Sequence, residues 1–100
     1  MNDAPDSAPV AGEIRRTVTI CNKRGLHARA AARFVKLAWQ FDAEVTVRKN
    51  GSAVSGRSIM GLMMLAAGPG TEIELIATGR EAERAVVALA DLVGGGFDEE

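Results

Sequence analysis

The chain has almost no cysteine, no tyrosine and almost no excess of charge of either sign. Its 100 residues include one cysteine, no tyrosine and one histidine. The lone Cys21 excludes an internal disulfide and is typical of a reducing compartment, so a cytoplasmic location is expected. One histidine and one cysteine are too few for a usual zinc site, so we expect neither a metal nor a cofactor.

The charge balance argues against nucleic acid and membrane surfaces as binding partners. Twelve basic and thirteen acidic residues give a net charge of −1. Proteins that bind nucleic acid or membrane surfaces usually carry a basic excess, so neither partner is expected. No apolar run is long enough to span a bilayer.

The composition of the two ends differs from that of the middle. Residues 1–13 are rich in alanine, proline and acids and lack periodicity, which predicts a disordered N-terminal tail. Residues 94–100 begin with three glycines, and we expect a flexible C-terminal tail there. The predicted folded domain is therefore residues 14–93.

Hydrophobic periodicity predicts the element order βαββαβα. Strand patterns are found at 14–21, 43–48 and 71–78, and Lys49-Asn50-Gly51 predicts a hairpin turn that leads into a further strand at 52–55. Helical spacing predicts helices at 28–40, 59–66 and 81–93. This order favours an α+β fold, a two-layer sandwich in which helices cover one face of an antiparallel sheet.

His27 stands where a glycine-containing turn meets the first predicted helix. Unpaired N–H groups at a helix start favour a bound anion and disfavour a protonated imidazole. Arg29 follows two residues later and can reach an anion at the same helix end. The arrangement is what a phosphoryl-accepting histidine needs, although a lone histidine is more often a surface or core residue.

The second predicted helix is apolar on all sides. Leu62, Leu65 and either Met64 or Ala66 are expected to face the core. A short helix buries only one side, so the remaining apolar residues are expected to form an exposed docking surface, namely Ile59, Met60 and Met63. The alternative is that all of them pack inward. Ser58 is the expected N-cap, and a phosphate added there would sit at a helix N-terminus beside that surface.

Two segments together resemble the histidine-containing phosphocarrier protein HPr of the phosphoenolpyruvate-dependent phosphotransferase system. Gly25-Leu26-His27-Ala28-Arg29 is similar to the family's active-site signature, and Ser58-Ile59-Met60-Gly61-Leu62-Met63 is similar to its regulatory-serine segment. The resemblance covers about residues 14–93. It implies an open-faced sandwich with three helices on one face of a four-stranded antiparallel sheet.

The resemblance also implies a covalent carrier rather than an enzyme. It implies that enzyme I phosphorylates His27 on Nδ1 and that His27 passes the phosphoryl group to an enzyme IIA domain, with Arg29 stabilising the group. Ser58 corresponds to the serine that HPr kinase/phosphorylase modifies in some bacteria. Ile59, Met60 and Met63 correspond to the docking surface, and a monomer is expected.

The active-site segment departs from the family's signature at one position, and three other functions are alternatives to a sugar-uptake carrier. Ala30 replaces the family's usual proline, which predicts a less rigid active-site turn. The carrier could serve sugar uptake or a nitrogen-type regulatory relay, like the paralogue NPr. A small metabolite-binding regulatory domain is a further alternative. A hydrolase using His27 is disfavoured because no nucleophile has an obvious base beside it.

Overall fold

The computed structural model describes residues 12–99 of the chain. The strands are β1 (Ile14–Thr19), β2 (Glu44–Lys49), β3 (Ser52–Ser55) and β4 (Glu72–Thr78). The helices are α1 (Ala28–Ala38), α2 (Ile59–Met64) and α3 (Ala82–Gly94), followed by a 3-10 turn at Gly96–Asp98. Most of the predicted N-terminal tail, residues 1–11, lies outside the described residues.

The strands form one antiparallel sheet in the order β1-β4-β2-β3. β2 and β3 are neighbours in the sheet because a two-residue turn joins them. Asn50 and Gly51 have φ angles of 49° and 86°, which is the left-handed geometry that matches the twist of a tight hairpin. The sequence Asn-Gly predicts this turn correctly.

The core lies between the sheet and the helices. Fully buried side chains come from every layer: Val47 and Leu75 from the sheet, Phe34 from α1, Leu62 from α2 and Leu89 from α3. The predicted α+β open-faced sandwich is confirmed, and each element lies within two residues of its predicted bounds. Among the helices of residues 12–99, none has both the length and the apolar character needed to cross a membrane.

The end of α2 differs from expectation. Leu62 and Leu65 are buried as predicted, but Met64 is 79% exposed and Ala66 is also exposed. The helix ends at Met64, and Ala66 adopts a positive φ of 52°, so neither position continues the core-facing side of the helix. Met64 therefore joins the exposed methionines.

The segment after α3 also differs from the expected tail. Gly94 is the last residue of α3, and the chain then turns back onto the domain. Phe97 is fully buried, and its carbonyl oxygen accepts a hydrogen bond from Arg33 of α1. Burial of a whole aromatic ring stabilises this conformation by a few kcal/mol, which a solvated glycine-rich tail would forgo. We call residues 95–99 the C-terminal segment.

Candidate functional site

His27 is the N-cap residue of α1. Its backbone is extended (φ −75°, ψ 178°), and its carbonyl oxygen accepts the first helical hydrogen bond from Ala31 N at 2.8 Å. The imidazole makes no capping bond, and the first turn carries no acidic residue. By helix geometry, the N–H groups of residues 28–30 have no intrahelical acceptor. They form a partly positive site next to the histidine, as the sequence predicts.

The turn before His27 is fixed by a close backbone contact. Gly25 has φ 62°, and a Cβ at that position would lie 2.2 Å from the carbonyl oxygen of Ala67. Leu26 is buried and donates its N–H to the same Ala67 oxygen at 3.0 Å. A glycine followed by an apolar residue therefore lets the chain approach the α2–β4 connection and presents His27 at a defined position.

A carboxylate engages one edge of the His27 ring. Nε2 is hydrogen-bonded to Oε2 of Glu99 in the C-terminal segment, and the histidine side chain is 17% exposed. The other Glu99 oxygen accepts a hydrogen bond from Asn22 Nδ2 at 3.0 Å. Hydrogen bonds from His27 and then from Asn22 lower the pKa of the Glu99 carboxyl, with a smaller contribution from the charge of Arg24. Glu99 is therefore ionised at neutral pH.

The second ring nitrogen, Nδ1, makes no hydrogen bond with any residue from 12 to 99. Nδ1 and Nε2 lie on different edges of the ring, so the contact with Glu99 does not involve Nδ1. The ring therefore has one nitrogen engaged by Glu99 and one without a hydrogen-bond partner among the described residues.

Arg29 is exposed on the first turn of α1. Its side chain makes no hydrogen bond or ion pair within residues 12–99, so the guanidinium does not stabilise the fold through such a contact. Lys23 and Arg24, in the turn before His27, are exposed as well. Three exposed cations therefore lie within four positions of His27 in the sequence, and positive charge next to a helix N-terminus favours a doubly charged anion such as a phosphoryl group.

Ser58 is the N-cap of α2, as predicted. Its Oγ accepts a hydrogen bond from Gly61 N at 2.9 Å. The residue is half-buried, so its hydroxyl is partly committed to the cap.

The outward side of α2 exposes a cluster of large apolar side chains. Their exposed fractions are 40% for Ile59, 72% for Met60, 42% for Met63 and 79% for Met64. We call these four residues the apolar patch. Helices α1 and α2 pack against each other, and the backbone bond from Leu26 to Ala67 connects the His27 turn to the segment that follows α2. The structure therefore joins the two regions that the sequence singled out.

Sequence reasoning missed Glu99 and Asn22. Both are polar residues without a motif. Asn22 lies in the turn before His27, whereas Glu99 reaches the site only because the C-terminal segment turns back. The one available signal was Phe97, since an aromatic residue in an otherwise polar tail suggests burial. Among residues 12–99, no group of three or more His, Cys, Asp or Glu side chains is placed to hold a metal ion.

Comparison with known proteins agrees with this arrangement. The family model described as the PTS HPr component phosphorylation site matches residues 14–94. The phosphocarrier protein HPr of Neisseria meningitidis serogroup A is 52% identical over 86 residues, covering 86% of this chain and 97% of that protein. The phosphocarrier protein NPr of Shewanella violacea is 46% identical over 87 residues, covering 87% of this chain and 96% of that protein.

A solved structure shows the same fold. The HPr-C-His structure from Thermoanaerobacter tengcongensis has a TM-score of 0.83 and 42% sequence identity, covering 87% of this chain and 98% of that one. The fold and these similarities place the chain among phosphocarrier proteins. The chain belongs to the HPr family of the phosphotransferase system.

Proposed function

We propose that the protein is a covalent phosphoryl carrier. His27 accepts a phosphoryl group from phosphorylated enzyme I, with phosphoenolpyruvate as the original donor, and passes it to an enzyme IIA domain. The observation that carries this proposal is the position of His27 at the uncapped N-terminus of α1, with Nε2 engaged and Nδ1 free. We expect the carrier to act as a cytoplasmic monomer without a cofactor.

The geometry supports an in-line transfer to Nδ1. The Nδ1 lone pair forms the new P–N bond while the bond between phosphorus and the enzyme I donor atom breaks. The N–H groups of residues 28–30 and the guanidinium of Arg29 neutralise the oxygens of the phosphoryl group. Transfer onward reverses these steps on the acceptor. The chain itself is regenerated by its partners and catalyses no turnover of its own.

Intact-protein mass tests this proposal directly. Wild type and His27→Ala are incubated with phosphoenolpyruvate and a bacterial enzyme I, with a known HPr in the same tube as control. We expect one acid-labile phosphoryl adduct on wild type and none on His27→Ala. An unlabelled wild type beside a labelled control, repeated with a nitrogen-type enzyme I, would contradict the proposal and favour a metabolite-binding domain.

We propose further that Ser58 is a regulatory phosphorylation site for an HPr kinase/phosphorylase. A phosphate on Oγ would place two negative charges beside the apolar patch while remaining at a helix N-terminus. Ser58→Asp is expected to retain the cap and to slow transfer from enzyme I, whereas Ser58→Ala loses about 1 kcal/mol of folding stability and leaves transfer near wild type. Equal transfer rates for Ser58→Asp and wild type would contradict the regulatory role.

The nitrogen-type relay is the second candidate, because NPr proteins are among the similar relatives. The two branches differ in the donor. Phosphoryl transfer rates from a sugar-type and a nitrogen-type enzyme I, measured on the same preparation, assign the protein to the branch with the faster donor.

A further inference from the structure

We propose that Glu99 is a positioning residue for phosphoryl transfer, which fixes the tautomer of His27 and stabilises the charge that the ring acquires. This inference rests on the proposed function of His27 as the phosphoryl acceptor. It concerns a residue near the end of the chain that the motif around His27 does not include.

The hydrogen-bond pattern determines the orientation of the Glu99 carboxylate. Its Oε2 contacts His27 Nε2, and its Oε1 accepts from Asn22 Nδ2 at 3.0 Å. Asn22 is 7% exposed, and the same Nδ2 also donates to the Gly25 carbonyl oxygen at 2.9 Å. Asn22 is thus held by the turn that presents His27, so the same turn positions both the carboxylate and the ring.

The charge of Glu99 decides which ring nitrogen carries the proton. An ionised carboxylate accepts hydrogen bonds and donates none, so the neutral ring must place its single proton on Nε2. The lone pair then resides on Nδ1, the nitrogen without a partner. This is how a carboxylate orients a histidine in other catalytic and metal-binding sites.

The same contact acts during transfer. When the Nδ1 lone pair bonds to phosphorus, the ring keeps its Nε2 proton and becomes a positively charged phosphoimidazolium, while the donor atom on enzyme I retains the electrons of the broken bond. A carboxylate at Nε2 stabilises that positive charge. Removing it is expected to slow transfer.

The C-terminal segment delivers the carboxylate to the ring. Phe97 and Asp98 have φ angles of 58° and 62°, a left-handed conformation that costs a side-chain-bearing residue roughly 1–2 kcal/mol. Burial of Phe97 and its carbonyl bond from Arg33 offset that cost. Glu99 N donates to the Gly96 carbonyl oxygen at 3.1 Å, which closes the turn and aims the side chain back toward His27.

The test compares three full-length variants with wild type. Glu99→Gln keeps the size of the side chain but removes the charge, and Glu99→Asp keeps the charge on a shorter side chain. Asp98→Asn is the matched control, because Asp98 is exposed, its side chain makes no hydrogen bond or ion pair within residues 12–99, and the substitution removes the same charge one residue away. Long-range ¹H–¹⁵N spectra report the His27 tautomer, and rapid-quench mixing with phosphorylated enzyme I reports the transfer rate.

We expect the Nε2–H tautomer to predominate in wild type and in Asp98→Asn. We expect Glu99→Gln to shift the population toward Nδ1–H and to reduce the transfer rate by about tenfold, with partial recovery in Glu99→Asp. An unchanged tautomer and an unchanged rate in Glu99→Gln would overturn the inference while leaving the carrier role intact. If wild type accepts no phosphoryl group at all, the proposed function itself fails.

Discussion

At the scale of single residues, the candidate site contains two kinds of residue: those that stabilise its fold and those that we expect to take part in phosphoryl transfer. Gly25 and Leu26 fix the turn, whereas His27 and Arg29 make few contacts that hold the fold. Replacing residues of the second kind is expected to change phosphoryl transfer without changing folding.

Arg29→Ala is expected to slow phosphoryl transfer from enzyme I by about tenfold or more, because one charge-assisted contact with the phosphoryl oxygens is lost. The free energy of unfolding is expected to change by less than about 0.5 kcal/mol, since the exposed guanidinium has no partner within residues 12–99. Lys36→Ala, an exposed cation in the last turn of the same helix, is the control and should leave the rate unchanged. Equal rates for the two variants would contradict the role of Arg29.

The Glu99 contact predicts a pH dependence of stability. The pKa of Glu99 lies below its ordinary value of 4.5 in the folded protein, so between the two values the unfolded chain binds more protons than the folded one. The contribution of Glu99 to the free energy of unfolding is therefore complete above its ordinary pKa and is lost as the pH falls through its folded pKa. Urea titrations of wild type and Glu99→Gln should differ near neutral pH and converge once the pH has fallen below the folded pKa of Glu99. A difference that grows on acidification would contradict this sign.

At the scale of elements, two tertiary contacts hold segments that sequence patterns treat as connections. One is the C-terminal segment, held by Phe97. The other is the link between β3 and α2, where Arg57 lies 4.1 Å over the Trp39 ring centroid and donates to the Ala43 carbonyl oxygen at 3.0 Å. Both contacts join residues that are far apart in sequence.

Phe97→Ala is expected to lower the free energy of unfolding by about 3 kcal/mol, because it removes a fully buried ring. It should also release Glu99 from His27, so the transfer rate should fall as it does in Glu99→Gln. Hydrogen exchange at residues 95–99 measures the release. A stable variant with an unchanged rate would show that the segment does not support the site.

Arg57→Lys is expected to cost about 1–2 kcal/mol of stability although the charge is kept. Lysine cannot stack a planar group on Trp39 while also donating to two carbonyl oxygens, those of Phe41 and Ala43. Arg80→Lys, at a side chain 83% exposed, is the matched control and should be neutral within about 0.5 kcal/mol. The comparison is made by urea denaturation, and equal stability of the two variants would contradict the proposed contact.

At the scale of the whole molecule, the proposed carrier role requires one face that successive partners can use. The apolar patch on α2 and the His27 turn are connected through the α2–β4 segment, and we expect a partner that covers the patch to reach the ring. Methionine-rich surfaces adapt to more than one partner, which would suit the proposed contacts with a donor and then an acceptor.

Met60→Glu is expected to raise the Kd for enzyme I by about tenfold or more, because it places a charge in the centre of a desolvated contact. Val87→Glu is the matched control, since Val87 is 46% exposed on α3, away from the patch. Both variants should fold normally because both positions face solvent. Titration calorimetry measures the Kd, and similar weakening by both substitutions would contradict docking at the patch.

Sequence patterns predicted the element order, the Asn50–Gly51 hairpin and the Ser58 cap, because each depends on neighbouring residues. They did not predict the conformation of the C-terminal segment, the exposure of Met64 or the stacking of Arg57 over the Trp39 ring. Each of those depends on contacts between distant parts of the chain. The same reason explains why His27 was found and Glu99 was not, since the two residues are 72 positions apart.

The most direct test of the account is the long-range ¹H–¹⁵N spectrum of the ¹⁵N-histidine-labelled protein after phosphorylation by enzyme I and phosphoenolpyruvate. With a single histidine in the chain, every imidazole signal belongs to His27. We predict a phosphorus-coupled Nδ1 and a proton retained on Nε2, where Glu99 accepts it. A phosphoryl group on Nε2, or an unmodified ring under conditions that phosphorylate a control HPr, would contradict the account.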